Sequence, residues 1–106
     1  DAKNIEISLR EFEYFLICEL GYGFNFHLDD AGKEIDKDRI YYFHPAQGFS
    51  EKPINNFLKV AGIDIINFTK GKITSSSARS KIKKIMQLAI THIAEKPMNA
   101  RMIFND

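Results

Sequence analysis

Between Leu9 and Leu20 apolar side chains crowd one short stretch: Leu9, Phe12, Phe15, Leu16, Ile17, Cys18 and Leu20, with Arg10, Glu13 and Glu19 outside the stripe. Their spacing suits one wide face of an α-helix, and Gly21 supplies a residue that can take the left-handed conformation ending a helix. The preceding Ser8-Leu9-Arg10-Glu11 has the form of a capping box, so a helix is expected from about Leu9 to Leu20. The segment Gly21-Tyr22-Gly23-Phe24-Asn25-Phe26 cannot continue that helix comfortably. Its alternating aromatics predict an extended stretch anchored on the core.

A polar, charged loop follows from Asp29 to Arg39, then the short β-type run Ile40-Tyr41-Tyr42-Phe43, closed by Pro45 and re-entered at Gly48-Phe49. A small hairpin or strand pair is expected there. Pro53 suits the first turn of a short helix holding Ile54, Phe57, Leu58 and Ala61 and ended by Gly62, and another short helix or turn is expected from Asp64 to Phe68. Ser75-Ser76-Ser77 offers caps for the strongest helix of the second half, where Ile82, Ile85, Met86, Ala89, Ile90 and Ile93 recur at helical spacing. Pro97 is expected to break it, and Asn99 to Phe104 to form a last short helix. The reading is a single domain over residues 1–106, mainly α-helical, with a minor β hairpin or strand pair.

Composition narrows the function. The longest apolar run, around Tyr14 to Cys18, falls far short of the roughly 20 residues that cross a bilayer. Cys18 is the single cysteine, so neither an internal disulfide nor a four-thiolate zinc site is available, and a reducing, cytoplasmic setting fits. The chain opens on Asp1 rather than Met, which reads as an excised or processed piece. Net charge is only +1, but acids dominate up to Pro53, whereas Lys59, Lys70, Lys72, Arg79, Lys81, Lys83 and Lys84 belong to the second half. That asymmetry suits either an acidic partner or phosphate backbone, or a merely solvated helix face.

No catalytic constellation emerges. Cys18 with His27, His44 or His92 is the only nucleophile–base set, and its apolar helical setting predicts a core thiol instead. The histidines lack metal-ligand spacing, and Asp29-Asp30 with Asp36-Lys37-Asp38 lacks the glycine and distal Glu of a calcium loop; neither a metal nor a cofactor is expected. Gly21-Tyr22-Gly23 lacks the strand and following helix of a phosphate-cradling loop. The basic start of the third helix, with Arg79, Lys81, Lys83 and Lys84, has the charge to hold a phosphate or carboxylate.

One pattern goes further. Leu9-Arg10-Glu11-Phe12-Glu13-Tyr14-Phe15-Leu16, followed by Glu19-Leu20-Gly21-Tyr22-Gly23-Phe24-Asn25-Phe26, resembles the helix-plus-LGYG signature of the RecO recombination-mediator family. Tyr41-Tyr42-Phe43 with Gly48-Phe49 is similar to that family's aromatic strand and G-F turn, and Lys96-Pro97-Met98-Asn99-Ala100-Arg101 to its tail element. The three matches keep the family's order and cover most of the chain. They imply the carboxy-terminal helical domain of a bacterial DNA-repair protein, without the amino-terminal OB-fold domain. The family's activity is non-enzymatic: it anneals complementary strands and helps load recombinase onto DNA coated by single-stranded-DNA-binding protein, acting with RecR and in some bacteria RecF. Localisation would be cytoplasmic and nucleoid-associated.

By resemblance, the helical domain docks the acidic, Phe-terminated tail of the single-stranded-DNA-binding protein, and the position of Arg10 contributes. In physical terms Arg10 would pair with a tail carboxylate, while Tyr14 with Leu9 and Ile17 would wall a slot for the terminal Phe. Lys81 and Lys84 are candidates for the remaining acids, and Arg79 and Lys83 for DNA. The alternative is direct single-stranded-DNA binding by the basic second half, with Tyr22, Phe24 or Tyr41 as stacking platforms. Two departures from the family stand out: His27 to Asp38 has no cysteine where some members carry a four-cysteine zinc module, and Glu51 to Ser77 matches no family motif.

Overall fold

The computed structural model describes residues 2–53 and 58–95. Helix α1 (Ala2–Glu19) leads into an irregular segment, then strands β1 (Ile40–His44), β2 (Gly48–Ser50) and β3 (Leu58–Ala61), helix α2 (Gly62–Thr69) and helix α3 (Ser76–Ala94). The expected mainly α domain with a minor β element is what forms. The sheet has the order β2-β1-β3, antiparallel throughout, with Phe43 opposite Phe49 and Tyr41 opposite Val60.

Alternation along β1 buries Tyr41 and Phe43, and the aromatics of the segment after α1 meet them there. Phe24 stands 4.8 Å from Phe43 between ring centroids and 5.1 Å from Phe26, which reaches Phe68 of α2 at 5.0 Å. Ile82, Ile85, Met86 and Ala89 of α3 close this core from the helical side. Ser75 caps α3 as expected, its hydroxyl accepting from the Ala78 amide at 3.0 Å.

The stop after α1 works as the sequence predicts. Gly21 has φ +87°, its amide donates to the Cys18 carbonyl and that of Tyr22 to the Ile17 carbonyl, the paired bonds of a Schellman ending. The loop beyond is held by Asp29, whose buried carboxylate accepts from the amides of Ala31 and Lys33, both at 2.9 Å. That carboxylate therefore serves a turn.

Four expectations are corrected. First, α1 begins at Ala2, not Leu9, so Ser8 lies inside the helix; serine and glutamate three residues apart fit a helix interior as well as a capping box. Second, the stripe that defined this helix points away from the core: Leu9, Phe12, Phe15, Leu16 and Leu20 are exposed, and Ile17 alone of that set is buried. Third, Cys18 is exposed rather than a core thiol, because it sits one residue past Ile17 and so about 100° around the helix. Fourth, the helix expected after Pro53 is replaced by β3 at Leu58–Ala61, and Gly62 opens α2 instead of ending a helix.

The fourth correction has a steric cause. A Cβ at Gly62 would lie 2.0 Å from the Asp36 carbonyl oxygen and 3.1 Å from that of Arg39, while the Gly62 amide donates to the Arg39 carbonyl at 2.8 Å. The strand-to-helix junction presses against the loop entering β1, and only glycine fits. Ile54 and Phe57, the Pro97 break, the helix expected over Asn99 to Phe104 and the Lys96–Arg101 element lie outside the described residues.

Candidate interaction surface

Helix α1 meets the core through Arg10, Tyr14 and Ile17, which follow one another at helical spacing. Tyr14 is the fastener: its hydroxyl donates to the Phe24 carbonyl, and its ring packs edge-on against Phe24 and Phe26 at 5.3 and 4.9 Å. Burial, helped by a side-chain hydrogen bond with Cys18, pushes the phenol well above its ordinary value, so it stays a neutral donor. Tyr14→Phe is expected to lower stability by about 1–2 kcal/mol through the orphaned Phe24 carbonyl, read from the urea midpoint. A variant as stable as the parent would show that water serves that carbonyl equally well.

Arg10 is only 6 % exposed. Its Nε stands 3.2 Å from Glu13 Oε1, close enough for strong attraction but misaligned for a hydrogen bond, and neither atom has another hydrogen-bond partner. Arg79 is likewise engaged, reaching Glu6 of α1 at 3.4 Å and tying α3 to α1. Arg10 is thus enclosed, while Arg79 is paired but keeps 43 % of its side-chain exposure.

The free positive charge gathers elsewhere. Lys81, Lys83 and Lys84, with Ser80 and Gln87, line a groove of about 450 Å³ along α3 whose apolar contribution is Leu58 of β3. Tyr14 borders a different hollow, of about 260 Å³, with Glu11, Phe26, His27, Phe68 and Thr69. The anticipated residues thus separate into groups. Lys81, Lys83 and Lys84 stand together; Tyr14 edges a second concavity; Leu9 faces solvent; Ile17, 1 % exposed, is part of the core and cannot wall an open slot.

Sequence reasoning missed Leu58, Ser80 and Gln87 as groove residues. Ser80 and Gln87 share a helical face with Lys83 and Lys84, a periodicity that was available. Leu58 carries no usable signal, because a short apolar run fits helix and strand alike. Two of the proposed stacking platforms are corrected too: Phe24 and Tyr41 are buried and present no face to a base, while Tyr22 is half-buried and packs edge-on against His92 at 6.4 Å. Among the described residues no group of three or more His, Cys, Asp or Glu side chains is placed to hold a metal ion, and no helix is long and apolar enough to cross a membrane.

No family model matches the chain. Individual proteins do. A protein named DNA repair protein RecO from Stutzerimonas stutzeri is 31% identical over 107 residues, covering 98% of this chain and 44% of that protein. The RecO protein of Mannheimia succiniciproducens is 29% identical over 102 residues, 94% of this chain and 45% of its own length. That of Haemophilus influenzae (strain PittGG) is 29% identical over 103 residues, 95% and 44%. The chain is a relative of RecO. The resemblance read from the LGYG block and the aromatic strand holds over nearly the whole sequence, and the RecO-like chain spans less than half the length of the curated relatives it matches.

The RecO likeness also gives the LGYG block a structural meaning. Gly21 provides the positive φ, and a Cβ at Gly23 would stand 2.7 Å from the Cys18 sulfur, so both glycines allow the chain to double back over the end of α1. Phe24 and Phe26 are thereby delivered to the centre of the core.

Proposed function

We propose that this chain is the carboxy-terminal helical domain of a RecO-like bacterial recombination mediator, active in DNA repair by binding macromolecules rather than by catalysis. Its ligand in this reading is the acidic, Phe-terminated tail of single-stranded-DNA-binding protein. The complete protein would support strand annealing and recombinase loading with RecR, and in some bacteria RecF, in the cytoplasm at the nucleoid.

The observation that carries this reading is the groove of Lys81, Lys83 and Lys84 over Leu58. Three ammonium groups suit successive tail carboxylates, and an apolar side chain at the groove edge suits an aromatic end group. Arg10 joins the contact only by exchanging Glu13 for a peptide carboxylate, since its guanidinium is otherwise engaged. Single-stranded DNA would value the same lysines but also needs stacking surfaces, and the buried state of Phe24 and Tyr41 counts against it.

The test is fluorescence anisotropy of a labelled peptide ending in acidic residues and Pro-Phe, titrated beside a control lacking the Phe. A micromolar dissociation constant is expected, roughly 8 kcal/mol, weakening as salt rises. Lys81→Ala with Lys84→Ala should weaken it about tenfold through two lost charge-assisted contacts while leaving the fold intact. A folded domain that ignores the peptide, or binds it equally without the Phe, sinks the tail assignment. Binding of single-stranded DNA alone, with a salt slope that falls when the lysines are replaced, would install the alternative.

A further inference from the structure

Helix α1 has two apolar-capable faces, and the fold occupies one. Arg10, Tyr14 and Ile17 define the inner face; Ile5, Leu9, Phe12 and Leu16, flanked by Phe15 and Leu20, define a second one about 140° around the helix. These six large side chains are 41–71 % exposed.

We propose that this outer face pairs with the same face of a second copy of the chain, α1 against α1 about a two-fold axis. Three observations support that occupant. Ile5, Leu9, Phe12 and Leu16 advance by steps of four, three and four residues, the rhythm of a helix–helix seam. The seam carries no charge from Ile5 to Leu16, with exposed Glu19 lying beyond Leu16 at the end of the face, and the carboxylates bordering it on the core side, Glu6 and Glu13, are drawn inward by Arg79 at 3.4 Å and Arg10 at 3.2 Å. A copy therefore meets apolar surface rather than like charge, as a self-complementary interface requires.

Area gives the third argument. At roughly 150–200 Å² for a full side chain, the exposed parts of these six sum to roughly 500 Å² per copy, at the upper end of what monomers leave in water. Two copies would bury about 1,000 Å², the lower edge of a specific interface. The association is accordingly reversible and weak, not obligate. It is independent of the lysine groove, which belongs to α3 and β3.

Sedimentation velocity of the chain from about 1 to about 200 µM, bracketing the affinity of so small an interface, tests the proposal. The expected result is a concentration-dependent shift from monomer to dimer that persists in high salt, unlike an electrostatic contact. The double variant Leu9→Glu, Phe12→Glu should remain monomeric throughout, with unchanged circular dichroism and urea midpoint, because both side chains are exposed. A monomer at the highest concentration overturns the proposal and assigns the face to other polypeptide, such as the additional length of the relatives. A dimer that survives the double substitution, or open-ended aggregation, overturns it as well.

Discussion

Replacing Gly62 with alanine is expected to lower the unfolding free energy by about 3 kcal/mol or more, the upper range for overpacking, because nothing near the new methyl can yield cheaply. The obstructing atoms are backbone: the Asp36 carbonyl oxygen at 2.0 Å and its carbon at 3.0 Å, with the Arg39 carbonyl beyond. Relief requires the β3–α2 junction to back away from the loop that enters β1, which would break the Gly62–Arg39 hydrogen bond. It would also disturb the Tyr41 hydroxyl, which accepts from the Asp36 amide at 2.8 Å. Urea denaturation followed by circular dichroism measures the effect, with Gly71→Ala as control. Gly71 has φ +72° but nothing within 4 Å of a new Cβ, so its cost is backbone strain alone, about 1 kcal/mol. Equal costs at the two positions would contradict the close approach at Gly62.

Arg10→Ala is expected to cost about 2–3 kcal/mol, less than a fully enclosed ion pair because the Glu13 side chain keeps 22 % of its exposure. Removing the guanidinium strands Glu13 Oε1, which is buried without a hydrogen bond even in the parent. It also removes the aliphatic stem that helps seat α1 on the core. The companion variant Arg10→Met, Glu13→Leu should recover most of the loss, since two apolar side chains of similar volume leave no charge behind. A single variant within about 0.5 kcal/mol of the parent would mean that Arg10 is free to leave the interface. That outcome would favour its direct part in peptide docking. The stable double variant separates the two roles: if it binds the acidic peptide like the parent, Arg10 is a scaffold residue and the lysine groove does the docking.

Much of the architecture was legible along the chain. The Gly21 stop, the hairpin across Pro45, the Ser75 cap and the apolar period of α3 are local signals, each set by backbone sterics or by hydrogen bonds between near neighbours. The family likeness was legible for the same reason, because its LGYG block encodes a local reversal that brings Phe24 and Phe26 to the core. Leu58–Ala61 was misread because short apolar runs fit helix and strand alike, and its strand state depends on pairing with β1, distant in sequence.

The candidate site divides along the same line. That Lys81 and Lys84 share a face follows from their three-residue spacing on one helix, and sequence sufficed for it; that Lys83, two residues from Lys81, lines the same groove is a finding of the structure. The direction in which α1 faces did not follow from its own periodicity: a helix with an apolar stripe is expected to bury it, yet here Tyr14 and Ile17 are taken inward and Leu9, Phe12 and Leu16 left outside. What decides this is the competition of tertiary contacts. The Tyr14 hydroxyl on the Phe24 carbonyl, Glu6 on Arg79 and the aromatic packing around Phe24 together orient α1 about its axis. Sequence alone determined that α1 and α3 are helical, where α1 stops and α3 starts, and which residues are charged, because those depend on near neighbours. Only the tertiary structure decided that Arg10 lies inside, that Leu58 joins the lysines, and that an apolar face of α1 remains to be covered.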